Sequence, residues 1–557
     1  MQRSRLFFLS LLAATVSVYG AEPSIHWDHL FPSGARQGST RTLTVVGGKF
    51  ESWPVETWTD GPDISLRPVE GKEGQLEIDV RPDARPGVRW LRLYDANGPT
   101  SPRPFVVGTL PEIEEQEPND SNGTAQKVSV SAVVVNGRLE KKGDVDAFAV
   151  HLERGQTLVA ALVAHEILRS PMDAILQVSS SDGHILEQND DDPDMDPRIV
   201  FTAPSSNTFV VRCFTFPERP SWIVGFDGDE KYVYRLTLTT QGFIDHPHPP
   251  VWNRSQPGGI AAVGWNISED ASRLQLTQLE PLESLEPLDG VELFHPDLGN
   301  TALVRLVSSV VFAESSAADQ SQDGVPKQPL EPPCWIGGVL AEPAETDAYE
   351  FNLKEGPVVF QVEARKTGSA LDASLVLYDP DGKEIERADD ADGPDTVLGY
   401  AIKTTGSYRL EIFDLHRRGG PRYFYALRAH AEEPDFELSL ADTPLTIPAG
   451  GSAEIPVEVK RLYGLEGSVE ITATGLPPGV TCAKTVSEGK GDSAGKVTLK
   501  LTAASEALRS GPFRVVGTAT VPRALTRSVR SKSRWLLPPV PHLWLTVQTP
   551  PPESTDE

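Results

Sequence analysis

The chain has 557 residues, a net charge of −28 and a pI near 4.8. A chain of this length is expected to form several domains, and its negative charge disfavours nucleic acids and anionic membrane surfaces as partners. The 48 prolines and 46 glycines interrupt the chain too often for long helices. The cysteines lie far apart, so we expect buried thiols and no disulfide framework at Cys213, Cys334 and Cys482.

The N-terminus has the pattern of a secretory signal peptide. Arg3 and Arg5 precede an apolar run, residues 6–18, that is too short to span a bilayer comfortably. The run ends near small residues, so we expect cleavage after Gly20 and export to the periplasm, the cell surface or the medium. The alternative is an uncleaved N-terminal anchor. We predict no membrane span after cleavage.

Strand patterns dominate the rest of the chain. Segments such as residues 42–46 and 76–80 show polar–apolar alternation or many β-branched residues, and turn residues separate them. Short strands with frequent turns predict an all-β fold made of tandem β-sandwiches.

Two acidic segments contain the candidate site residues, namely Glu115-Gln116-Glu117-Pro118-Asn119-Asp120 and Gly143-Asp144-Val145-Asp146-Ala147-Phe148. Pro118 favours extended backbone at Glu117, so Glu115, Glu117 and Asn119 are expected to share one face. Crowded carboxylates repel each other unless a cation lies among them, and calcium prefers oxygen ligands. We therefore predict a calcium site with ligands from Glu115, Glu117, Asn119, Asp120, Asp144 and Asp146. The alternative is a turn whose side chains bond the local backbone.

This arrangement resembles the bacterial pre-peptidase C-terminal domain. The similarity covers residues 115–239 and includes the Glu-x-Glu-Pro-Asn-Asp segment, the Gly-Asp-x-Asp-x-Phe turn, and later Asp-Gly and Asn-Asp-Asp turns. The resemblance implies a secreted, jelly-roll-like β-sandwich that accompanies other domains, and it implies no single activity. Related collagen-binding modules of bacterial collagenases carry a similar calcium-binding segment. That relation implies a fibrous protein or a polysaccharide as the ligand.

The chain repeats itself at a spacing of 201 residues, which pairs Gly137 with Gly338 and Asp146 with Asp347. A second, diverged copy of the module is therefore expected at residues 333–430. Its counterpart of Asp144 is Glu345, but the Glu-x-Glu-Pro-Asn-Asp segment is missing. We predict calcium in the first copy only.

Smaller domains complete the predicted organisation. The patterns at residues 45–50 and 262–267, and the Gly-Leu-Pro-Pro-Gly-Val turn at 475–480, resemble those of bacterial immunoglobulin-like domains. The predicted order is a signal peptide (1–20), an immunoglobulin-like sandwich (21–110), a jelly roll (111–240), a second immunoglobulin-like domain with a linker (241–332), a diverged jelly roll (333–430), a C-terminal immunoglobulin-like sandwich (431–548) and a disordered tail (549–557).

The sequence favours a binding role over catalysis. We predict no nucleophile elbow, no His-Glu-x-x-His helix and no P-loop, and the histidines do not cluster near a candidate nucleophile. We therefore expect a non-enzymatic protein for extracellular binding or scaffolding, with a protein or polysaccharide polymer as partner. One alternative is an accessory subunit or degenerate relative of an exported peptidase that lacks the catalytic domain. Another is a structural spacer at the cell surface.

Overall fold

The computed structural model is built from β-strands, as the sequence predicts. In the described part of the chain, strands account for 55% of the residues and pair into ten sheets that form five successive β-sandwiches. The described part of the chain contains two 3₁₀ turns, Asp270–Ser272 and Arg365–Thr367, and no α-helix. The structure describes residues 25–129, 131–192, 195–217, 225–253, 255, 259–274, 290–314, 329–389, 393–440, 445–507, 509–529 and 543–548.

Three predicted segments lie outside the described residues. These are the signal peptide (1–20), the tail (549–557) and most of the linker ahead of residue 333, namely residues 315–328. Among the residues that are described, no helix combines the length and the apolar character needed to cross a membrane.

The first sandwich packs two four-stranded sheets around one apolar core. Its strands are β1 (His29–Phe31), β2 (Gly34–Arg36), β3 (Thr40–Val46), β4 (Glu56–Thr59), β5 (Ile64–Pro68), β6 (Gln75–Val80), β7 (Gly87–Tyr94) and β8 (Arg103–Gly108). The sheet orders are β1-β3-β6-β5 and β2-β8-β7-β4. Leu43, Leu76 and Leu91 are fully buried between the sheets, because alternate side chains of each strand point inward.

The second sandwich packs two five-stranded sheets. Its strands are β9 (Glu112–Glu114), β10 (Gln126–Val128), β11 (Ala132–Arg138), β12 (Asp146–Leu152), β13 (Thr157–Val163), β14 (Ala174–Ser180), β15 (Ile185–Asn189), β16 (Arg198–Thr202), β17 (Asn207–Thr215) and β18 (Val233–Thr239). The sheet orders are β10-β12-β17-β14-β15 and β16-β13-β18-β11-β9. Val135, Phe148 and Val211 are fully buried in the core between them.

The third sandwich is small, with sheets β19-β21-β22 and β20-β24-β23. Its strands are β19 (Phe243–His248), β20 (Val251–Asn253), β21 (Ile260–Trp265), β22 (Arg273–Leu274), β23 (Gly290–Leu293) and β24 (Ala302–Val307).

The fourth sandwich has sheets β25-β26-β33-β28-β31 and β27-β32-β29-β30. Its strands are β25 (Val310–Ala313), β26 (Cys334–Val339), β27 (Thr346–Leu353), β28 (Gly356–Glu363), β29 (Ala373–Tyr378), β30 (Glu384–Ala388), β31 (Val397–Ile402), β32 (Gly406–Asp414) and β33 (Phe424–Ala431).

The fifth sandwich has sheets β34-β36-β40-β38 and β35-β43-β41-β37-β39, with β42 paired to β41. Its strands are β34 (Asp435–Ser439), β35 (Leu445–Pro448), β36 (Ser452–Leu462), β37 (Val469–Thr474), β38 (Val480–Cys482), β39 (Thr485–Ser487), β40 (Lys496–Ala503), β41 (Gly511–Ala519), β42 (Leu525–Ser528) and β43 (Leu543–Gln548).

The second and fourth sandwiches share one strand order apart from β10, which has no counterpart among the described strands of the fourth, and this agrees with the predicted duplication. Strands β9, β11, β18, β13 and β16 correspond to β25, β26, β33, β28 and β31, and β12, β17, β14 and β15 correspond to β27, β32, β29 and β30. The lead strand pairs in parallel in both copies, β9 with β11 and β25 with β26. The fourth sandwich therefore includes a strand at Val310–Ala313, ahead of the predicted start at residue 333. The connection after this lead strand is two residues longer than in the second sandwich, because Glu314 precedes Gly338 by 24 residues and Glu115 precedes Gly137 by 22.

A buried cluster of ion pairs joins three consecutive sandwiches. Arg198 of the second sandwich lies 2.9 Å from Asp192 and 3.0 Å from Asp245, which belongs to β19. Arg422 of the fourth sandwich pairs with the same two aspartates, at 3.2 Å from Asp245. The Asp245 side chain is 4% exposed, so these pairs are shielded from solvent screening. These alternating charges thus fix the second and fourth sandwiches against the third.

The first and last sandwiches also touch. Trp544 of β43 packs against Tyr94 and Trp58, with ring centroids 4.7 Å and 6.3 Å away. The Arg92 guanidinium lies 5.2 Å from the centre of the Trp544 ring. The two ends of the described chain therefore meet.

Candidate metal centre

The candidate centre lies at one end of the second sandwich, where the two acidic segments meet. Glu115 follows β9 directly, while Asp144 precedes β12 and Asp146 begins it. Gly143 turns the chain ahead of Asp144 with a φ of 88°, a conformation that favours glycine. Its amide donates to the carbonyl oxygen of Phe226 at 3.0 Å. The turn is therefore held in place before the acidic residues begin.

Three of the six predicted ligands come together. Glu117, Asp120 and Asp144 each place a carboxylate oxygen within 4.8 Å of the other two. Glu117 and Asp120 are exposed, whereas Asp144 is fully buried. Asp144 Oδ2 accepts a hydrogen bond from the Glu140 amide at 2.6 Å, but Asp144 Oδ1 has no hydrogen-bond partner. The nearest recorded positive group is Lys141 Nζ, 3.8 Å from Asp144 Oδ1.

The unpartnered oxygen of Asp144 is the feature that suits a cation. A buried carboxylate oxygen without a donor carries a desolvation cost of about 1–3 kcal/mol or more. A metal ion among Glu117, Asp120 and Asp144 would remove that cost and the mutual repulsion of the three carboxylates. All three donors are hard oxygens, which favours calcium over metals that prefer nitrogen or sulfur ligands.

Glu115 and Asp146 form a second, adjoining group around a tyrosine. The Tyr234 hydroxyl lies 2.6 Å from Asp146 Oδ2 and 3.2 Å from Glu115 Oε2, and Glu115 Oε1 accepts the Arg138 amide at 2.7 Å. Burial raises the pKa of Asp146 to about 7. Burial and then the negative charge of Asp146 raise the pKa of Glu115 as well. In the absence of a cation, burial and mutual repulsion therefore favour protonation of this pair.

Asn119 connects the two groups. Its backbone amide donates to Glu117 Oε2 at 3.0 Å, and its carbonyl accepts the Ala147 amide at 3.1 Å. Its side chain is fully buried, and when the amide nitrogen is assigned to the position that faces Val145 O and Asp146 Oδ1, it donates to them at 3.3 and 3.1 Å. In this orientation Asn119 positions the acidic residues on either side of it.

A similar cluster occurs in the fourth sandwich, where the sequence predicts no calcium. Glu314, Glu345 and Asp347 place carboxylate oxygens within 4.8 Å of one another. Glu314 takes the place of Glu115. Its amide donates to Gly337 O at 2.7 Å, as the Glu115 amide donates to Asn136 O at 3.0 Å.

Sequence reasoning missed Glu314 because it lies 199 residues after Glu115, which departs from the repeat spacing of 201. The signal was a short strand segment followed by glutamate, at residues 310–314 as at 111–115.

The two central tyrosines were also missed. Tyr425 occupies the position of Tyr234, and its hydroxyl donates to Asp347 Oδ2 at 2.5 Å. The repeated glycines make room for these rings, since a Cβ at Gly137 would lie 2.1 Å from the Tyr234 ring. A Cβ at Gly338 would lie 2.3 Å from the Tyr425 hydroxyl. The signal was a Tyr-x-Leu pattern in the last strand of each copy.

One pentapeptide matches a catalytic motif that the sequence analysis did not recognise. Residues 491–495 read Gly-Asp-Ser-Ala-Gly, which fits Gly-x-Ser-x-Gly. A nucleophile elbow requires a turn from a strand into a helix. Here Ser493 lies in a turn between strands β39 and β40, and its hydroxyl accepts the Glu488 amide at 3.0 Å. The motif therefore lacks the structural context of the elbow.

Comparison with known proteins gives one short match in sequence. No family model matches the chain. The chain is 36% identical over 76 residues to a probable subtilase-type serine protease of Deinococcus radiodurans, which covers 13% of this chain and 10% of that protein. The chain thus spans about a tenth of the length of the curated relative that it matches.

The similar solved structures are distant. PliG, a periplasmic inhibitor of g-type lysozyme from Aeromonas hydrophila, is 12% identical with a TM-score of 0.15, over 21% of this chain and 96% of its own. Tripeptidyl peptidase 2 is 10% identical with a TM-score of 0.15, over 92% of this chain and 40% of its own. Such TM-scores carry no argument. The chain is therefore an all-β, multi-sandwich protein with a short region similar to a subtilase-type protease.

Proposed function

We propose that this protein is an exported, non-catalytic β-sandwich protein for extracellular binding or scaffolding. Its second sandwich would be a module of the pre-peptidase C-terminal type, stabilised by one calcium ion. The observation that carries the calcium proposal is the buried, unpartnered Asp144 Oδ1 beside the carboxylates of Glu117 and Asp120. A protein or polysaccharide polymer is the proposed partner.

Calcium would act here as a structural clamp. The ion would join the Glu117–Asp120 part of the lead-in segment, which runs from β9 of one sheet to β10 of the other, to Asp144 on the turn ahead of β12. Binding to the folded state alone raises stability by mass action, by about 2.7 kcal/mol at a free concentration of one hundred times Kd.

Thermal unfolding of the mature full-length protein tests the clamp. We expect a higher Tm in calcium than in a chelator, and we expect Asp144→Asn to abolish most of the difference. The matched control is Glu345→Gln, which changes the corresponding residue of the fourth sandwich and should leave the calcium response intact. An Asp144→Asn variant that still responds like the wild type would refute the site.

The short similarity to a subtilase-type protease favours a second candidate function. In that alternative the protein is an accessory subunit or a degenerate relative of an exported peptidase. A pull-down from the native secreted fraction separates the two candidates, because the first predicts a polymer and the second predicts a peptidase. Peptide hydrolysis by the purified protein that is lost in Ser493→Ala would contradict both non-catalytic accounts.

A further inference from the structure

The acidic cluster of the fourth sandwich differs from that of the second in its hydrogen bonding. Glu314 Oε2 accepts the Val339 amide at 2.8 Å, and Glu345 Oε2 accepts the Glu342 amide at 2.7 Å. Asp347 Oδ2 accepts the Tyr425 hydroxyl at 2.5 Å. Each carboxylate therefore has its own donor, and none contains an unpartnered buried oxygen like Asp144 Oδ1.

The fourth sandwich also contains a hydroxyl that the second lacks. Tyr349 lies two residues after Asp347, where Phe148 lies two residues after Asp146. The hydroxyls of Tyr349 and Tyr425 are 2.5 Å apart, so Tyr349 can donate to Tyr425 while Tyr425 donates to Asp347. Both rings are almost completely buried. The result is a hydrogen-bonded chain that ends on a buried carboxyl group.

Three carboxylates this close cannot all be ionised without compensation. The charged and titratable groups around Asp347 are Glu314 directly after the lead strand, Glu345 from the preceding turn, Tyr425 from β33, and Tyr349 from the same strand as Asp347. No cation is among the described groups that act on its titration. The missing compensation must therefore come from a bound ion or from a proton. No buried oxygen of this cluster is left without a partner as a ligand for an ion. Burial of Asp347 favours its neutral form, and this effect outweighs the hydrogen bond from Tyr425, which favours the ionised form.

We propose that the fourth sandwich holds a proton on Asp347, so that raising the pH through the range in which this proton is lost loosens the sandwich. The direction in which the pKa of Asp347 is shifted agrees with this geometry. Burial, and then the charge of Glu314, raise the pKa of Asp347 from its ordinary value of 3.8 to about 8. The proposal concerns a different sandwich from the calcium site and does not depend on calcium binding there.

The sign of the pH effect follows from proton linkage. Because the folded-state pKa of Asp347 is raised, the folded state binds more protons than the unfolded state between about pH 4 and pH 8. The stabilisation is complete below the unfolded pKa and is lost as the pH rises through the folded pKa. For one proton, the unfolding equilibrium constant of this sandwich rises by up to about tenfold for each pH unit in that window.

Infrared spectroscopy of the full-length protein in calcium detects the proton directly. We expect a protonated carboxyl band at pH 6 that titrates away near pH 8, and that is missing from Asp347→Asn. The Asp381→Asn variant, which changes an exposed aspartate of the same sandwich, should keep the band. Taking the difference between wild type and Asp347→Asn removes any contribution from Glu115, whether or not calcium binds. Identical wild-type and Asp347→Asn spectra throughout this pH range would overturn the proposal.

Hydrogen exchange gives a second test that does not require the variant to fold. After correction for intrinsic exchange rates, the opening of β27 and β33 in the wild type should increase from pH 6 to pH 8, while β36 and β40 of the fifth sandwich show no such increase. An Asp347→Asn variant that folds should lose this dependence on pH. Equal pH dependence in both sandwiches, or none in β27, would contradict the proposal. A band or a pH dependence that calcium abolishes would show that this cluster binds the cation instead.

Discussion

Tyr234 is the residue on which one half of the acidic cluster depends, because its hydroxyl lies within hydrogen-bond distance of both Asp146 and Glu115. Replacing it by phenylalanine removes the hydroxyl and leaves the buried carboxyls without that partner. We expect Tyr234→Phe to lower the free energy of unfolding by about 1–3 kcal/mol. Urea denaturation measures this loss. Tyr378→Phe, at a more exposed hydroxyl, is the control, and an equal loss in both variants would contradict the role of Tyr234.

Gly137 provides the space for the same tyrosine. A Cβ at this position would lie 2.1 Å from the Tyr234 ring, so the ring or the strand must move in Gly137→Ala. We expect a loss of about 1–3 kcal/mol, which is typical of overpacking. Gly399→Ala is the matched control, since Gly399 also lies in a strand and a Cβ there would meet no atom within 4 Å. Denaturation curves that coincide for the two variants would show that the ring position is not restrained.

At the scale of elements, the repeat spacing of 201 residues does not locate the lead strand of the fourth sandwich, β25. Strand β25 pairs with β26, although residues 314–333 lie between the two. We therefore predict slow amide hydrogen exchange for β25 in the full-length protein, comparable with that of β26. Mass spectrometry of peptides from this region provides the measurement. Exchange of β25 at the rate of an unstructured linker would contradict the pairing.

The sequence predicted the fold class because the period-two pattern is local. Strand β36, for example, alternates buried and exposed side chains along most of its length, as its residues suggest. Glu117, Asp120 and Asp144 could be placed near each other because two acidic segments near the start of one predicted sandwich match, in order, those of the domain that the sequence resembles. The separate position of Glu115 and Asp146 was not predictable, because it depends on Tyr234 from a strand almost ninety residues beyond Asp146.

At the scale of the whole molecule, the buried ion pairs of Asp192, Arg198, Asp245 and Arg422 hold the second and fourth sandwiches to the third. Local sequence patterns could not predict these pairs, because the partners lie far apart in the chain. Asp192 and Arg422, for example, are separated by 230 residues. Their burial makes them less sensitive to salt than surface pairs.

Arg422→Ala should therefore loosen the arrangement of the sandwiches. Removing one member of a buried pair leaves charge uncompensated, which costs about 3–5 kcal/mol when no other partner remains. We expect less here, since Arg198 still pairs with both aspartates. Small-angle scattering should show a larger radius of gyration for Arg422→Ala. Arg387→Ala, at an exposed pair with Glu384, should leave it unchanged, and equal radii for both variants would contradict the clamp.

A calorimetric calcium titration of the mature full-length protein tests the central claim most directly. The account predicts one binding site per chain, no binding after Asp144→Asn, and an unchanged single site after Glu345→Gln. The stoichiometry matters because both sandwiches place three carboxylates within 4.8 Å, but only the second leaves a buried oxygen unpartnered among the described residues of these clusters. Two equivalent sites in the wild type, no site at all, or full binding by Asp144→Asn would contradict it.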